Sequence, residues 1–189
     1  RPQQGRCDLG AHEQPLTTLD DVFLEPSTCT AADFTAAMAS ADIILFRCRD
    51  DNTFTIAEQV VSRTIGIFGS SSTDVVLSGG DTNRLFRVQS GAHLYLSNMH
   101  LANGNANGDG GAILNTGRLS LFGTRIRDSH ATGRGGAVAN TSTATVSFGT
   151  ELHDNSASFG GALAQISGTL TSDRIWVHGN EATRDGAGM

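Results

Sequence analysis

Apolar and polar residues alternate in short bursts along the second half of the chain, as in Leu94, Leu96, Met99 and Leu101, with Tyr95 and His100 interposed. A period of two marks a strand that buries one face, and each burst spans only three to five residues. Amphipathic helices are excluded there, because Gly, Asn, Ser and Thr interrupt each apolar run before a few turns could form. The bursts also recur. Leu101, Ile126, Leu152 and Val177 are spaced 25, 26 and 25 residues apart, so one inserted residue falls in a turn. Ala106, Ala131, Ala157 and Ala182 keep the same rhythm, as do Leu94 with Leu119, and Leu96 with Leu121 and Val146. The clearest marker is a Gly-Gly-Ala triplet. Gly111, Gly136, Gly161 and Gly186 stand 25 residues apart, the first three followed by Ala-Ile, Ala-Val and Ala-Leu, the last by a degenerate Ala187-Gly188-Met189.

A repeat of this size, with about three short strands and their turns, has no interior of its own. It must stack on copies of itself, with backbone hydrogen bonds to the coils on either side at about 4.8 Å spacing. The expected fold is therefore all-β: a right-handed, single-stranded parallel β-helix, a solenoid with coils of about 25 residues. The paired glycines suit a turn that needs positive φ or a very close approach to the next coil. Asn115, Asn140 and Gln165 each lie two residues past an inward Ile113, Val138 or Leu163. Amides there predict a ladder in which each bonds its neighbours above and below; the competing reading is an amide-lined binding groove.

Upstream the rhythm loosens, but short strands are still predicted at 43–46, 54–56, 65–68, 75–77 and 85–88, parted by turn clusters such as 69–72 and 78–81. Segment 30–41 differs. Thr30 is a candidate N-cap with Asp33 three residues on, and Phe34, Ala37 and Met38 form an i, i+3, i+4 apolar stripe. A short helix there would cap the solenoid, covering apolar side chains and strand edges. The expected division is an N-terminal segment, 1–28, and a β-helix, 29–189, with regular coils from about residue 92. Because Met189 falls inside a repeat, the stack is expected to continue in further chain or in another copy.

Composition bears on function more than on fold. With 38% hydrophobic residues, 23 Gly and three Pro, the chain reads as folded and rich in turns. Its net charge of −6 comes from 19 acidic residues against 13 basic ones, all of them Arg, so no nucleic-acid partner is expected. No apolar run reaches the roughly 18 to 20 residues of a membrane span, and no charged-then-apolar leader opens the sequence. The cysteines, Cys7, Cys29 and Cys48, fit no C-x-x-C metal pattern. In a secreted protein Cys29 and Cys48 would close a loop of about 20 residues, stabilising by roughly 3 kcal/mol and leaving Cys7 over. The alternative is buried free thiols.

Stacking turns residues one repeat apart into neighbours, so surface ladders can be read from the sequence. One ladder, Asn103, Asp128, Asp154 and Gly179, holds two adjacent carboxylates able to raise each other's pKa or share a cation; the plainer reading is a pair of solvated turn residues. Beside it, alternation turns out His100 and Ala102, Arg125 and Arg127, Glu151 and His153, then Trp176 and His178. Arg suits the carboxylates of acidic sugars and an indole suits sugar stacking. Arg125, Arg127, His153, Trp176 and His178 are thus a candidate ligand-binding surface, set against a solvated face whose Trp is covered by a neighbouring coil or domain. Asn107-Gly108-Asp109-Gly110 has the composition of a Ca²⁺-binding turn, although the nonapeptide series of such sites is absent. No other cofactor or metal is expected. There is no nucleophile elbow, phosphate-cradling loop or paired-His metal motif. The Thr-x-Thr runs at 143–145 and 169–171 do not extend into an ice-binding array.

These motifs resemble those of bacterial right-handed β-helix repeat proteins related to the polymorphic outer-membrane proteins, whose passenger coils carry Gly-Gly-Ala-(Ile/Val/Leu) and Phe-x-x-Asn. The first appears at 110–113, 135–138 and 160–163. The second is weakened to Leu152 to Asn155 and Val177 to Asn180, with Leu or Val in place of Phe. Cys29-Thr30 ahead of the helix, then Ile44-Leu45-Phe46-Arg47-Cys48, resembles the opening of such secreted proteins, and 1–13 resembles the segment that closes a preceding β-helix. The resemblance implies an extracellular or bacterial cell-surface scaffold or adhesin, with extracellular glycans or surface proteins as partners. The fold also hosts other activities. One is a polysaccharide lyase or glycoside hydrolase acting through Asp128 and Asp154 with Arg125 or Arg127, with Ca²⁺ for the lyase. Another is a subunit that stacks head to tail into filaments through the solenoid ends.

Overall fold

The computed structural model describes residues 20–24, 29–48, 52–70 and 75–188. Segment 1–13, Cys7 and Met189 lie outside them, together with the expectations placed there. The described chain winds through about six turns of a parallel β-solenoid. A seven-stranded sheet runs from Asp21–Leu24 and Ile43–Phe46 through Thr64–Phe68, His93–Ser97, Arg118–Phe122 and Thr143–Ser147 to Thr169–Asp173. Around the first corner lies a six-stranded sheet, in which His100–Ala102, Arg125–Arg127, Glu151–His153 and Trp176–His178 follow Thr53–Thr55 and Val76–Ser78. A five-stranded sheet, which includes Ile113–Asn115, Val138–Asn140 and Leu163–Gln165, closes the coil.

A fourth sheet corrects the expectation of about three strands per coil. Asn105–Ala106, His130–Arg134, Ser156–Phe159 and Glu181–Asp185 pair in parallel between the six- and five-stranded sheets. Its only inward residue shared by every coil is the alanine at 106, 131, 157 and 182, too little for an alternating pattern to show. Asp21–Leu24 corrects a second expectation, because it lies within the segment set apart as 1–28 yet pairs residue for residue with Ile43–Phe46.

Equivalent side chains pile up once per coil. Leu94, Leu119 and Ala144 are in register, as are Leu96, Leu121 and Val146, and all are buried. Each fully buried Leu or Ile stabilises by about 1.5 to 3 kcal/mol, and only stacking removes them from water. Burial relaxes in the last described coil, where Leu170, Ile175 and Val177 pack on the core but stay partly exposed.

Helix Ala31–Ser40 packs Phe34, Ala37 and Met38 inward. The Thr30 hydroxyl accepts the Asp33 N–H at 3.1 Å, a conventional N-cap. At the other end the Arg63 guanidinium donates to the Met38 and Ala41 carbonyls, placing a cation where the helix dipole is negative. Phe34 stacks on Phe46 at 5.7 Å, and Phe46 on Phe54 at 5.9 Å, so aromatic rings fill this end of the core. A disulfide joins Cys29, ahead of the helix, to Cys48, beyond strand Ile43–Phe46.

The corners explain the conspicuous polar residues. In each Gly-Gly-Ala triplet the first residue supplies positive φ, 68° at Gly135, while the second admits close approach. A Cβ on Gly136 would meet the Gly161 carbonyl oxygen at 2.2 Å. At the opposite corner, buried Asn115 donates from Nδ2 to Asn140 Oδ1 at 2.6 Å, and Asn140 to Gln165 Oε1 at 2.7 Å. A second amide ladder runs elsewhere: Asn155 Oδ1 accepts the Ser129 N–H, and Asn155 Nδ2 donates to Asn180 Oδ1 at 3.0 Å. The Asn of each weakened Phe-x-x-Asn motif therefore satisfies corner backbone.

Two glycine substitutions separate these roles. Gly136→Ala is expected to cost about 4 kcal/mol or more, because its Cβ meets backbone that cannot yield. Gly149→Ala, with φ of 78° but open space around it, should cost only about 1 to 2 kcal/mol. Urea unfolding midpoints measure both.

Candidate functional site

The six-stranded sheet brings the expected surface residues together. Arg125, Glu151 and Trp176 form one register column, and Arg127, His153 and His178 the next. Arg125 Nε donates to Glu151 Oε2 at 2.7 Å, and His178 Nε2 lies 2.9 Å from Glu151 Oε1. The His153 and His178 rings stack at 5.2 Å, nearly parallel, and His153 Nδ1 lies 2.8 Å from Asp154 Oδ2. Arg127 is ion-paired with Asp128. Trp176 remains 68% exposed. Glu151, not among the candidate binding residues, is the acceptor that ties this face together.

Asp128 and Asp154 occupy a corner rather than a cleft. Asn103, Asp128, Asp154 and Gly179 have φ of 53°, 51°, 54° and 64°, the left-handed region that Asn, Asp and Gly tolerate. Turn geometry accounts for the residue types, and each carboxylate is engaged by the side chain just before it.

The Asn107-Gly108-Asp109-Gly110 turn is held by cations. Arg84 donates to the Asp109 and Gly110 carbonyls at 2.8 Å each, and Asp109 Oδ1 accepts the Arg134 N–H at 2.8 Å. Among the described residues, no group of three or more His, Cys, Asp and Glu is placed to hold a metal, and no helix is long and apolar enough to cross a membrane.

The outward face of the seven-stranded sheet was not singled out from the sequence. Four rings form a zigzag column across the coils: Phe68 to Tyr95 at 5.3 Å, Tyr95 to Phe122 at 5.0 Å, and Phe122 to Phe148 at 5.7 Å. The Arg174 guanidinium closes it, 4.7 Å from the Phe148 ring centre. At its Phe68 end lies an open groove of about 480 Å³. Aromatic residues recurring at 68, 95, 122 and 148, close to the coil length, are the sequence signal for the column.

No family model, no curated protein and no solved structure matches the chain. The class that its geometry defines is a parallel β-solenoid with polar ladders at its corners and two chemically distinct outward faces.

Two carboxyl groups set an acid limit on stability. Hydrogen bonds from His178 and Arg125 hold the Glu151 carboxyl below its ordinary 4.5, against a smaller opposing effect of burial. At Glu58 burial pushes upward, but hydrogen bonds and charge from Arg84 and Arg87 outweigh it, and the carboxyl again lies below 4.5. A depressed folded pKa contributes stability that is present above the unfolded value and lost as pH falls through the folded one. Stability should therefore drop on acidification below 4.5. The combined Glu58→Gln, Glu151→Gln variant should start less stable at neutral pH and fall less steeply, as urea titrations at successive pH values would show.

Proposed function

We propose that this chain is a non-enzymatic solenoid scaffold of a secreted or bacterial cell-surface protein, displaying an adhesive face to extracellular glycans or neighbouring proteins. One observation carries this reading: the acids and bases that a lyase or hydrolase would use are paired with one another along the six-stranded sheet. Catalytic groups need pKa values matched to proton transfer and an approach for substrate; here Glu151 is held ionised by its partners. The large exposed side chain of that face is Trp176, whose indole suits sugar or protein contact. Stabilisation by a disulfide fits an oxidising compartment. Similarity of the Gly-Gly-Ala repeats to passenger coils of the polymorphic outer-membrane proteins supports placement at a bacterial surface.

The test is a panel of pectin, alginate and related polysaccharides, with and without Ca²⁺, assayed for both cleavage and retention of the protein. Retention without new chain ends, lost in Trp176→Ala and kept in Asp154→Asn, is the expected result. Cleavage that disappears in Asp154→Asn would replace the scaffold with a lyase or hydrolase.

A further inference from the structure

One outward column of the seven-stranded sheet runs Ile43, Gly66, Tyr95, Ser120, Thr145 and Thr171 in register, and only Gly66 lacks a side chain. Its backbone does not demand glycine, since Gly66 is absent from the positive-φ residues and sits in the middle of strand Thr64–Phe68. A mid-strand glycine weakens a sheet and marks places where a ligand or another backbone comes close. Here no second backbone does: a Cβ at 66 would meet only the far edge of the Phe68 ring, at 2.7 Å. That ring takes the place of a side chain over Gly66, and beside the two runs the groove of about 480 Å³, a size that suits a small molecule. Phe68 and Tyr95 line it together with Asp42, Thr64 and His93.

We propose that this groove binds one neutral pyranose ring of a glycan, its apolar face against Phe68 and Tyr95 and its hydroxyls bonded by Asp42, Thr64 and His93. The lining holds one carboxylate and no Lys or Arg, so it favours a hydroxyl-rich neutral ring over a uronate. The lining presents mostly apolar surface with Asp42, Thr64 and His93 among it, and a pyranose offers a C–H face and a hydroxyl rim at once. Burial, reinforced by the Arg118 charge, pushes the His93 imidazole down and keeps it neutral. Its Nε2 lies 2.9 Å from Ser120 Oγ, which leaves Nδ1 for the sugar. The site lies on a different sheet from Trp176 and does not depend on the adhesive reading of that face.

Saturation-transfer NMR on the 189-residue chain tests it, with the methyl glycosides of glucose, galactose and mannose as probes and glucuronate, decanoate and p-cresol as comparisons. At least one neutral glycoside should receive saturation, glucuronate less, and Gly66→Val should abolish the signal while Val60→Ala, an exposed substitution on the five-stranded sheet, preserves it. Valine suits a strand and displaces only a ring edge, so Gly66→Val should fold, as circular dichroism would show. Should it not, Asp42→Ala and His93→Ala, each made singly, must weaken the signal. Saturation of none of the neutral glycosides, or of decanoate or p-cresol alone, overturns the proposal, as does a signal unchanged by all three variants. Loss in Trp176→Ala without loss in Gly66→Val would move the sugar to the six-stranded face, overturning this site while supporting the scaffold.

Discussion

Everything in this molecule depends on the hydrogen-bonded registration of one coil on the next. No coil encloses a core, so Leu96, Leu121 and Val146 escape water only because parallel pairing sets each upon the last. Corners are where this constraint is most severe, since strands end there and backbone groups lose their ladder partners. The amide ladders answer it: Asn115 bonds Asn140 above it and also accepts the Gly117 N–H of its own corner. Such a side chain fixes both the turn and the register, so moving it by one residue would leave buried polar atoms unmet.

The same registration organises the surface. Because each outward column is a stack of chemically chosen positions, charges meet in sequence-distant pairs such as Arg125 with Glu151, and Arg84 with Glu58. Partly exposed pairs of this kind contribute modestly to stability, yet they consume the groups that chemistry would need. The two faces consequently differ. The six-stranded sheet presents a self-neutralised polar strip with one protruding indole, and the seven-stranded sheet an aromatic column ending in a groove.

Legibility in the sequence followed the same physics. Stacking requires the same residue type at each coil, so Gly111, Gly136 and Gly161, and the amides at 115, 140 and 165, were readable from spacing alone. The inserted residue falls at the corner 148–150, where Gly149 adopts φ of 78°. Asp21–Leu24 and Gln59–Val61 were not readable, being short and set among irregular turns. Nor was the groove, since it depends on a register, Gly66 on Tyr95, that spans a lengthened coil. The corner positions of Asp128 and Asp154 were visible as a ladder; their left-handed backbone needed coordinates.

Cysteine pairs give the most direct test of coil-on-coil registration. Arg118 and Thr143 are outward, exposed register partners, and Thr169 stands one coil further along the same column. Adjacent coils place Cα atoms about 4.8 Å apart, within disulfide reach, while two coils place them beyond the limit of about 7 Å. Under mild oxidation, Arg118→Cys with Thr143→Cys should cross-link within one chain, and Arg118→Cys with Thr169→Cys should not. Equal cross-linking of both pairs, or linkage of the second alone, would contradict the stacked register on which the fold and both faces rest.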